Sequence, residues 1–334
     1  MTSVILIVAV AFLLSAGLSY YLAHPTARLL RIIDHPNQRS LHAHPTPRGG
    51  GLAILCGFVC SWLLLGAGSS DTDWGWAGWV GAGLLTTAVL SLLDDLYQLS
   101  AALRLTVHLT TAALVIEYGQ LLPDHSWLPA PLWLLITVLA MVWMMNLYNF
   151  MDGMDGFAAS MAVIGFGYYA LFGWIAQQPL FSLTALLLAS ASAGFLLFNK
   201  PPARLFMGDV GSLPLGFMVA VLSLWGLRDA LFPWWVPLLV FAVFIVDATV
   251  TLLRRTLRGE AIWQAHRSHY YQKMVIQHGW SHGRTVAAES ILMLTSGGSA
   301  FWWMYSGGTT SAALLLTAWS LLLALLAYQI DRKS

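Results

Sequence analysis

The sequence predicts an all-α, polytopic integral membrane protein, built as a bundle of about eleven transmembrane helices. Of its 334 residues, 58% are hydrophobic and only 9% are charged, and the mean hydropathy is +0.71. Soluble chains are typically about 45–50% apolar and about 25% charged. The apolar runs predict helices rather than barrel strands, because they approach the length that a helix needs to cross a bilayer. We expect a single domain over residues 1–334.

The apolar runs define the predicted spans. In chain order these cover residues 3–23, 50–67, 75–93, 103–119, 131–149, 157–176, 180–198, 211–227, 234–254, 286–305 and 309–328. The first run has no basic leader and is longer than the apolar part of a typical secretory signal, so we expect it to be a retained span. Cys56 and Cys60 lie four residues apart in an apolar run and are predicted to pack between helices rather than to form a disulfide.

The basic residues predict the orientation of the bundle. The linkers alternate between two sides, and all of the 16 Lys and Arg residues except Arg228 fall on one side when Arg104 and Arg254 at span borders are counted with it. Cytoplasmic loops carry such an excess, so the N-terminus is predicted to lie outside and the C-terminus inside. With a net charge of +1 and no basic tract, we expect no nucleic-acid partner.

The polar side chains that could take part in binding or catalysis lie on the predicted cytoplasmic side. They are Asp94, Asp95, Asn149, Asp152, Asp155, Asn199, Asp209, His266 and His269. An ionised Asp at the bilayer centre costs about 2.5–3.5 kcal/mol even on the most lenient scale, so such residues favour the membrane surface. The active site is therefore predicted on the cytoplasmic face.

The stretch Asn149–Gly156 separates two apolar runs and carries oxygen-bearing side chains at Asn149, Asp152 and Asp155. On a helix these positions would drift around one side, and in a chain broken at Gly153 they would line a pocket. Hard oxygen ligands suit Mg²⁺ or Mn²⁺. The alternative is a polar loop whose Asn and Asp residues cap a helix.

Two further acidic stretches allow both a functional and a structural interpretation. Asp94 and Asp95 end a span, and adjacent carboxylates repel unless a cation or a basic side chain such as Arg104 holds them, so the pair indicates a Mg²⁺ or phosphate network or else a solvated helix end. Asp209 precedes a helix start, where a diphosphate is favoured, or it serves only as the N-cap. Phe206 could stack on a base.

Two loops and one intramembrane acid complete the candidate set. The loop 34–51 combines Pro turns, basic groups and a Gly run, and could hold a phosphate head group or simply set the topology. The segment 265–273 is predicted to place His266, His269 and Lys273 on one helical face, as an anion-binding surface. A zinc site with His278 and His282 is the alternative there. Asp247 lies inside a span and is either functional or paired with a helix neighbour or Arg254.

Five separated stretches, in the same order, resemble the polyprenyl-phosphate N-acetylhexosamine-1-phosphate transferases of glycosyltransferase family 4. These membrane enzymes begin O-antigen, teichoic acid, enterobacterial common antigen and peptidoglycan lipid intermediates. The stretches are Pro45-Thr-Pro-Arg-Gly-Gly, Asp94-Asp95, Asn149-Phe-Met-Asp-Gly-Met-Asp-Gly, Phe206-Met-Gly-Asp-Val-Gly-Ser-Leu and the His266–His269 loop. Together they cover most of the chain, and the resemblance implies residence in the bacterial cytoplasmic (inner) membrane.

The resemblance also implies roles for individual residues. Asp209, with Asp152 as a second ligand, is expected to hold Mg²⁺, for which Mn²⁺ is an alternative. The expected catalytic residues are Asp94, Asp95, His266 and His269. The expected substrate-binding residues are Arg39, His42, Arg104, Asn149, Asp152, Asp155, Asn199, Phe206 and Arg267, with Asn199 and Phe206 facing the uracil.

The implied reaction joins a UDP-N-acetylaminosugar to polyprenyl (undecaprenyl) phosphate, giving polyprenyl-diphospho-aminosugar and UMP. The His266-Arg-Ser-His269 sequence lacks the triple His of the muramyl-pentapeptide branch, so the O-antigen-initiating branch is favoured, with N-acetylglucosamine or a 6-deoxy relative as the sugar. We expect direct attack by the lipid phosphate, oriented or deprotonated by Asp94; a covalent aspartyl-phosphate is the rival mechanism. A homodimer is compatible with the sequence.

Other functions fit less well. The phosphotransferase that makes peptidoglycan precursors is the alternative within the family. A CDP-alcohol phosphotransferase would need an Arg and further Asp residues that do not follow Asp155-Gly156. A membrane transporter would place acids at mid-membrane depth, where we predict only Asp247.

Overall fold

A computed structural model describes residues 2–24, 32–36, 40–42, 44–67, 75–124, 128–260, 266–306 and 309–332. It consists mainly of helices. In chain order these are α1 (Thr2–Ala23), α2 (Gly50–Ala67), α3 (Gly75–Tyr97), α4 (Ala101–Tyr118), α5 (Ala130–Phe150), α6 (Phe157–Ile175), α7 (Pro179–Asn199), α8 (Asp209–Arg228), α9 (Trp235–Val240), α10 (Ala242–Leu257), α11 (Tyr270–Ile276), α12 (His282–Ser306) and α13 (Thr309–Arg332). Two short strands, β1 (Ile32–Asp34) and β2 (Thr46–Arg48), pair in an antiparallel manner.

The structure confirms a polytopic helical membrane protein. Within the described ranges, eight helices are long and apolar enough to cross a bilayer: α1, α2, α3, α5, α6, α7, α8 and α13. The predicted spans 103–119 and 286–305 coincide with the long helices α4 and α12, which are more polar. Most helix limits lie within a few residues of the apolar runs, because the same apolar runs that suit lipid also favour internally hydrogen-bonded helices.

One predicted span is wrong as a continuous helix. Residues 234–254 form two helices, α9 and α10, separated at Phe241, whose φ of −105° and ψ of 18° leave the helical region. The ring of Phe241 is fully buried, packs edge-on against Tyr169 and fills the space above Gly165. Tertiary packing of this ring therefore accompanies the break, which periodicity alone does not reveal.

Helix α8 is the centre of the bundle. In the most apolar stretch of α8, 83% of the residues are buried inside the protein. The corresponding share is 17% for α1 and for α13, so those two terminal helices form the periphery. Helix α8 packs closely on α2 and α5. A Cβ atom on Gly51 would overlap the backbone of Gly211, and one on Gly216 would lie 2.8 Å from Cα of Met145.

Backbone hydrogen bonds join the start of α2 to the start of α8. The amides of Gly50 and Gly51 donate to the carbonyls of Phe206 and Met207, each at 2.9 Å, and the amide of Phe206 donates to Pro47 at 2.9 Å. Arg48 is thereby held against the loop that leads into α8. The ends of α3 and α5 lie at the same end of the bundle, where the candidate site forms.

Candidate active site

A cavity of about 330 Å³ lies at the end of the bundle where α2 and α8 begin and α5 ends. It is lined by Asp34, Ser40, Leu41, His42, Arg48, Asn149, Asp152, Gly153, Met154, Asp155, Asn199, Phe206, Met207, Gly208, Asp209, Gln272 and His282. Seven of the predicted site residues are in this set: His42, Asn149, Asp152, Asp155, Asn199, Phe206 and Asp209. The fold thus brings together predicted site residues that are up to 167 positions apart in the sequence, from His42 to Asp209.

Asp209 is the first residue of α8 and is fixed by the end of α5. The side-chain amide of Asn149 donates to Oδ1 of Asp209 at 2.9 Å and to Oγ of Ser212 at 2.9 Å. Gly208 is the N-cap residue, with a φ of +73° that favours glycine. Asp209 is therefore not the N-cap, and its carboxylate contributes to the wall of the cavity.

One guanidinium faces several carboxylates beside the cavity. Nη2 of Arg48 donates to Oδ2 of Asp34 at 2.8 Å, and Nη1 lies 3.9 Å from Oδ1 of Asp95. Asp209 is close enough to interact electrostatically with both Arg48 and Asp95. The positive charge of Arg48 is shared among these acids, so the group as a whole keeps an excess of negative charge.

Asp152, in the loop between α5 and α6, adds a further carboxyl group to the cavity wall. Burial raises the pKa of the Asp152 carboxyl well above its usual range, and the charge of Asp209 raises this pKa further, whereas Arg48 opposes the shift. A bound cation would favour the ionised form in the same way that Arg48 does. The cavity is therefore a place where positive charge is stabilised.

The residues of the cavity wall that could hold a divalent cation are Asp209 and Asp152. Among the described residues, no group of three or more His, Cys, Asp or Glu side chains is arranged to hold a metal by itself. Mg²⁺ is usually bound by one or two carboxylates together with substrate phosphates rather than by an all-protein cage. Asp152 and Asp209, whose charge raises the pKa of Asp152, match that donor set.

Asp155 and Asn199 shape the opposite wall. Oδ2 of Asp155 accepts from the amide of Ala203 at 3.1 Å and lies 3.1 Å from Nδ1 of His282. Oδ1 of Asn199 accepts from the amide of Gly156 at 2.9 Å, and its Nδ2 donates to the carbonyl of Leu205 at 3.0 Å. Both ends of the Asn199 amide are thus engaged with the backbone, so this residue holds the two loops together.

An aromatic pair closes another side of the cavity. The rings of His42 and Phe206 are 4.8 Å apart at an angle of 64°. Nε2 of His42 is buried, lies 3.8 Å from Oδ2 of Asp34, and has no hydrogen-bond partner among the described residues. A buried polar atom without a partner requires an explanation, such as a water molecule or a ligand atom at this position.

Several predicted site residues lie outside the cavity wall. Oδ2 of Asp94 accepts from Nη1 of Arg104 at 2.7 Å and its Oδ1 from the amide of Leu99 at 2.8 Å, so this acid and Arg104 form a pair at the end of α3. His266, Arg267 and His269 are likewise absent from the wall, although Arg267 contacts the carbonyl of Ser40 at 3.4 Å. Arg39 lies outside the described residues.

The prediction that His266, His269 and Lys273 share a helical face is wrong. Helix α11 begins only at Tyr270, and His269 is its N-cap, because Asp247 accepts hydrogen bonds from the amides of Tyr270 and Tyr271. The rings of His266 and His269 nevertheless lie 4.8 Å apart. Burial lowers the pKa of His266 to about 4, with His269 and Arg255 contributing, so this imidazole is neutral at physiological pH.

The zinc alternative also fails within the described residues. His278 contacts the carbonyl of Ile330 at 3.0 Å, whereas His282 pairs with Asp155 in the cavity wall. The two histidines therefore have different sets of neighbours. No cluster with metal-binding geometry is present among them.

Asp247 proves to be paired, but not with Arg254. Its Oδ1 accepts from the amide of Tyr270 at 3.0 Å, lies 3.0 Å from Nδ1 of His269 and accepts from Thr251 at 3.1 Å. Arg254 instead pairs with Asp331. Asp247 therefore joins α10 to α11 and orients His269.

Sequence reasoning did not single out Asp34 or Arg48 within the candidate loop 34–51, and it named His282 only as a zinc ligand. Arg48 belongs to the Pro-Thr-Pro-Arg-Gly-Gly stretch, where its position just before a helix start was the available signal. Asp34 becomes apparent only through its pairing with Arg48 across β1 and β2. His282 begins α12 far along the chain, and no local pattern assigns it to the wall of this cavity.

Comparison with known proteins identifies relatives along most of the chain. The model of the family described as "Glycosyl transferase family 4" matches residues 76–227. A probable undecaprenyl-phosphate N-acetylglucosaminyl 1-phosphate transferase of Bacillus subtilis is 33% identical, over 84% of this chain and 80% of that protein. A decaprenyl-phosphate N-acetylglucosaminephosphotransferase of Mycolicibacterium smegmatis is 30% identical, over 82% of this chain and 76% of that protein.

A more limited match connects the chain to a second branch. A phospho-N-acetylmuramoyl-pentapeptide-transferase of Enterococcus hirae is 32% identical, over 45% of this chain and 46% of that protein. The matches to the N-acetylglucosamine enzymes extend over nearly twice as much of the chain. The protein belongs to glycosyl transferase family 4, as a multi-pass membrane enzyme of the polyprenyl-phosphate N-acetylhexosamine-1-phosphate transferase group.

Proposed function

We propose that this enzyme transfers an N-acetylaminosugar-1-phosphate from a UDP-sugar to undecaprenyl phosphate, releasing UMP. The observation that carries the proposal is the 330 Å³ cavity, in which Asp209, Asp152 and Arg48 meet at the end of membrane-crossing helices. Such a position suits a reaction between a soluble, anionic donor and a lipid acceptor. The donor's sugar is N-acetylglucosamine or a 6-deoxy relative, and the product begins O-antigen or another cell-envelope polysaccharide.

In the proposed reaction, an oxygen of the acceptor phosphate attacks the sugar-linked phosphorus of the donor. The bond from that phosphorus to the UMP oxygen breaks, and UMP leaves with the electron pair. Arg48 binds phosphate oxygens, and Asp95, 3.9 Å from its guanidinium, orients the acceptor. Asp209 and Asp152 would hold Mg²⁺, which neutralises phosphate charge when bound. A phosphate monoester has a second pKa of about 6 and is largely ionised at neutral pH. A general base that deprotonates the acceptor phosphate is therefore helpful rather than essential.

The aromatic side of the cavity is the proposed uracil pocket. Phe206 offers a ring face, and the unpartnered Nε2 of His42 offers a hydrogen bond to the nucleotide. Aromatic stacking on a base is worth about 1–3 kcal/mol per base in nucleic-acid complexes. Asp155 and His282, 3.1 Å apart, would face the sugar from the opposite wall.

The proposed orientation places this cavity on the cytoplasmic side of the bacterial inner membrane, with the N-terminus outside, the C-terminus inside and eleven crossings. It rests on the bias of Lys and Arg residues, of which Arg228 alone belongs to the opposite side. UDP-sugars are cytosolic, so the cavity and the donor would share a compartment. Cysteine accessibility at either end of α13 would test this orientation.

Two observations favour an N-acetylglucosamine-type donor over the muramyl-pentapeptide donor. The His-Arg-Ser-His segment replaces a triple histidine, and the longer matches are to proteins named for N-acetylglucosamine. A panel of UDP-aminosugars, offered to purified protein with undecaprenyl phosphate and Mg²⁺, tests the choice. Transfer from UDP-N-acetylglucosamine or a 6-deoxy relative is expected; transfer only from the muramyl-pentapeptide donor would reject the assignment.

The same assay tests the function itself. We expect lipid-linked sugar and UMP to form in equal amounts, and chelation of divalent cations to stop the reaction. Metal-independent passage of solute across vesicles, without lipid-linked product, would instead indicate a transporter. Incubation with the donor alone separates the two mechanisms, because a trapped sugar-phosphoryl enzyme would replace direct attack by a covalent route.

A further inference from the structure

The guanidinium of Arg48 is bonded unequally to its two acidic neighbours beside the 330 Å³ polar cavity of the candidate site. Its Nη2 donates to Oδ2 of Asp34 at 2.8 Å. Its Nη1 lies 3.9 Å from Oδ1 of Asp95, which is too far for a hydrogen bond. The guanidinium is thus hydrogen-bonded to Asp34 and only close to Asp95.

The small sheet favours the bond to Asp34. Strands β1 and β2 place Asp34 opposite Thr46 and Ile32 opposite Arg48. Positions 46 and 48 share one face of the sheet because side chains alternate along a strand, so Asp34 lies diagonally from Arg48 on that face. Such diagonal neighbours are about 7–8 Å apart and within reach of long side chains. The pairing therefore forms when the chain folds and does not require a substrate.

The other acids near Arg48 lie around the start of α8. A Cβ atom at Gly208 would lie 3.8 Å from Cβ of Arg48 and also 3.8 Å from Oδ2 of Asp95. Asp209 follows Gly208 directly, lines the cavity and is close enough to interact electrostatically with Arg48. A guanidinium released from Asp34 would therefore have Asp95 and Asp209 as its nearest acidic partners.

Such a release would set Arg48 against the metal ion. In the proposed function, Asp209 and Asp152 hold Mg²⁺ while Arg48 binds phosphate oxygens. A guanidinium and a carboxylate form charge-assisted hydrogen bonds, often in pairs, and these are among the stronger ones in proteins. Mg²⁺ requires the same carboxylate oxygens. Arg48 and the metal ion can thus occupy the cavity together only if Arg48 is held by a different acid.

We propose that Asp34 is a positioning residue that keeps Arg48 away from the metal-binding carboxylate of Asp209. The inference rests on the proposed function and adds a role for Asp34, which lines the same cavity. Asp34 binds one end of the guanidinium, so that Nη1 remains directed towards the phosphate. Asp34 acts through Arg48 and contacts neither the metal ion nor the reacting phosphorus.

A simpler role for Asp34 makes a different prediction. Its negative charge could attract a divalent cation through space, without any part played by Arg48. Loss of Asp34 would then weaken cation binding whether or not Arg48 is present. In our proposal the loss matters only when Arg48 is there to compete for Asp209. A double-mutant cycle separates the two, because it measures the coupling between the two side chains.

The test measures Mn²⁺ binding by electron paramagnetic resonance to purified protein in detergent, without substrates. The four proteins are the unmodified chain, Asp34→Asn, Arg48→Met and the double variant. We expect Asp34→Asn to raise the Kd for Mn²⁺ about tenfold, a loss of about 1.4 kcal/mol. In the Arg48→Met background the same change should have little effect. Equal effects of Asp34→Asn in the two backgrounds, or no effect in either, would overturn the inference.

Two further variants control for charge and for folding. Asp34→Glu keeps the carboxylate and should retain most of the affinity for Mn²⁺. Asp229→Asn makes the same chemical change in another acid that pairs with an arginine, Arg228, at 2.7 Å. It lies just past the far end of α8, about 30 Å from Asp209, and should bind Mn²⁺ like the unmodified protein. A loss in Asp34→Glu as large as that in Asp34→Asn would contradict the proposed role.

Transfer kinetics separate this inference from the proposed function. With UDP-N-acetylglucosamine and undecaprenyl phosphate, Asp34→Asn should raise the Mn²⁺ concentration that gives half-maximal rate by about the same factor as the Kd. Saturating Mn²⁺ should restore most of kcat, because excess metal displaces the guanidinium. If the binding cycle behaves as expected but no lipid-linked sugar forms, the proposed function fails while the role of Asp34 stands. If sugar is transferred and the cycle shows no coupling, the role of Asp34 fails alone.

Discussion

Two polar regions of this protein contain buried or half-buried acids, and they are compensated very differently. At the junction of α10, α11 and α13, each acid has close partners: Asp247 accepts from two backbone amides and contacts His269, and Asp331 pairs with Lys273 and Arg254. Asp95 beside the polar cavity, and Asp152 and Asp209 in its wall, share mainly the guanidinium of Arg48 among the basic side chains that the structure describes. Asp247 and Asp331 thus have close donors of their own, whereas the carboxylates at the cavity share Arg48.

This difference separates a structural cluster from a functional one. Charged groups that are fully paired hold elements of the fold together, and carboxylates held close without enough compensation have perturbed pKa values, as functional sites commonly do. The contrast predicts that mutations in the cavity should reduce activity more than stability. Mutations at the junction should do the reverse.

The largest effect is expected from Asp209→Asn. This change preserves the shape of the side chain and its contact with Asn149 but removes a charge that faces the donor's diphosphate and its cation. We expect kcat to fall by about 10²–10³, the scale on which loss of one electrostatic group acts in other enzymes. Radiolabelled transfer to undecaprenyl phosphate measures the rate. A loss below threefold, with the melting temperature unchanged, would contradict the role of Asp209.

The second-largest effect, a loss of stability, is expected from Asp247→Ala at the junction. Asp247→Ala would leave the buried amides of Tyr270 and Tyr271 without an acceptor, and each such loss costs about 1–3 kcal/mol. We expect a clear drop in melting temperature and faster proteolysis around α11. Asp247→Asn, which keeps an acceptor oxygen, is the matched control. Its melting temperature should lie between those of the unmodified protein and Asp247→Ala. If Asp247→Ala melts like the unmodified protein, the junction is not a structural cluster.

A smaller effect of opposite sign is expected for Asp152→Asn. Folding raises the pKa of the Asp152 carboxyl, so its ionisation opposes folding increasingly as the pH rises above the value of the unfolded chain. The substitution should therefore raise the melting temperature without metal, by a few degrees at pH 8 and by less at pH 5, while transfer activity falls. Added Mg²⁺ should stabilise the unmodified protein more than the variant. A variant that is less stable at pH 8 would refute this account.

The smallest effect is expected from Lys273→Met at the edge of the junction. Nζ of Lys273 lies 2.6 Å from Oδ1 of Asp331, but Asp331 keeps Arg254 as a second partner. Partly exposed ion pairs contribute about 0–1 kcal/mol, so stability should change by no more than that. The donor KM and kcat should be unaltered. A large loss of activity would mean that the junction contributes directly to the reaction.

Much of the fold was predictable because lipid imposes a simple rule on the backbone. Apolar runs became helices close to their predicted limits, such as α6 and α7. The break at Phe241 was not predictable, since it accompanies packing against Tyr169 on another helix. The start of α11 at Tyr270 depends on Asp247, which lies 23 residues earlier.

The candidate site was predictable where short motifs contain several of its members. Asn149, Asp152 and Asp155 belong to one stretch, and Phe206 and Asp209 to another, and all of them line the cavity. From the sequence we expected Asp94 to orient the lipid phosphate, whereas the proposed function gives that role to its neighbour Asp95. The structure pairs Asp94 with Arg104 and places Asp95 beside Arg48. Asp34 and His282 required the tertiary fold.

The short sheet formed by β1 and β2 has a kinetic consequence. Its strands align Ile32 with Arg48 and Asp34 with Thr46, and the backbone of Arg48 forms a bridge to Phe206, so the residue is anchored on both sides. A flexible arginine would lose rotational freedom at each encounter with a substrate. Here that freedom is lost once, when the chain folds, and every later turnover meets a guanidinium already in place. A substitution that weakens this sheet should therefore slow the binding of the donor, even if every residue that contacts the donor is unchanged.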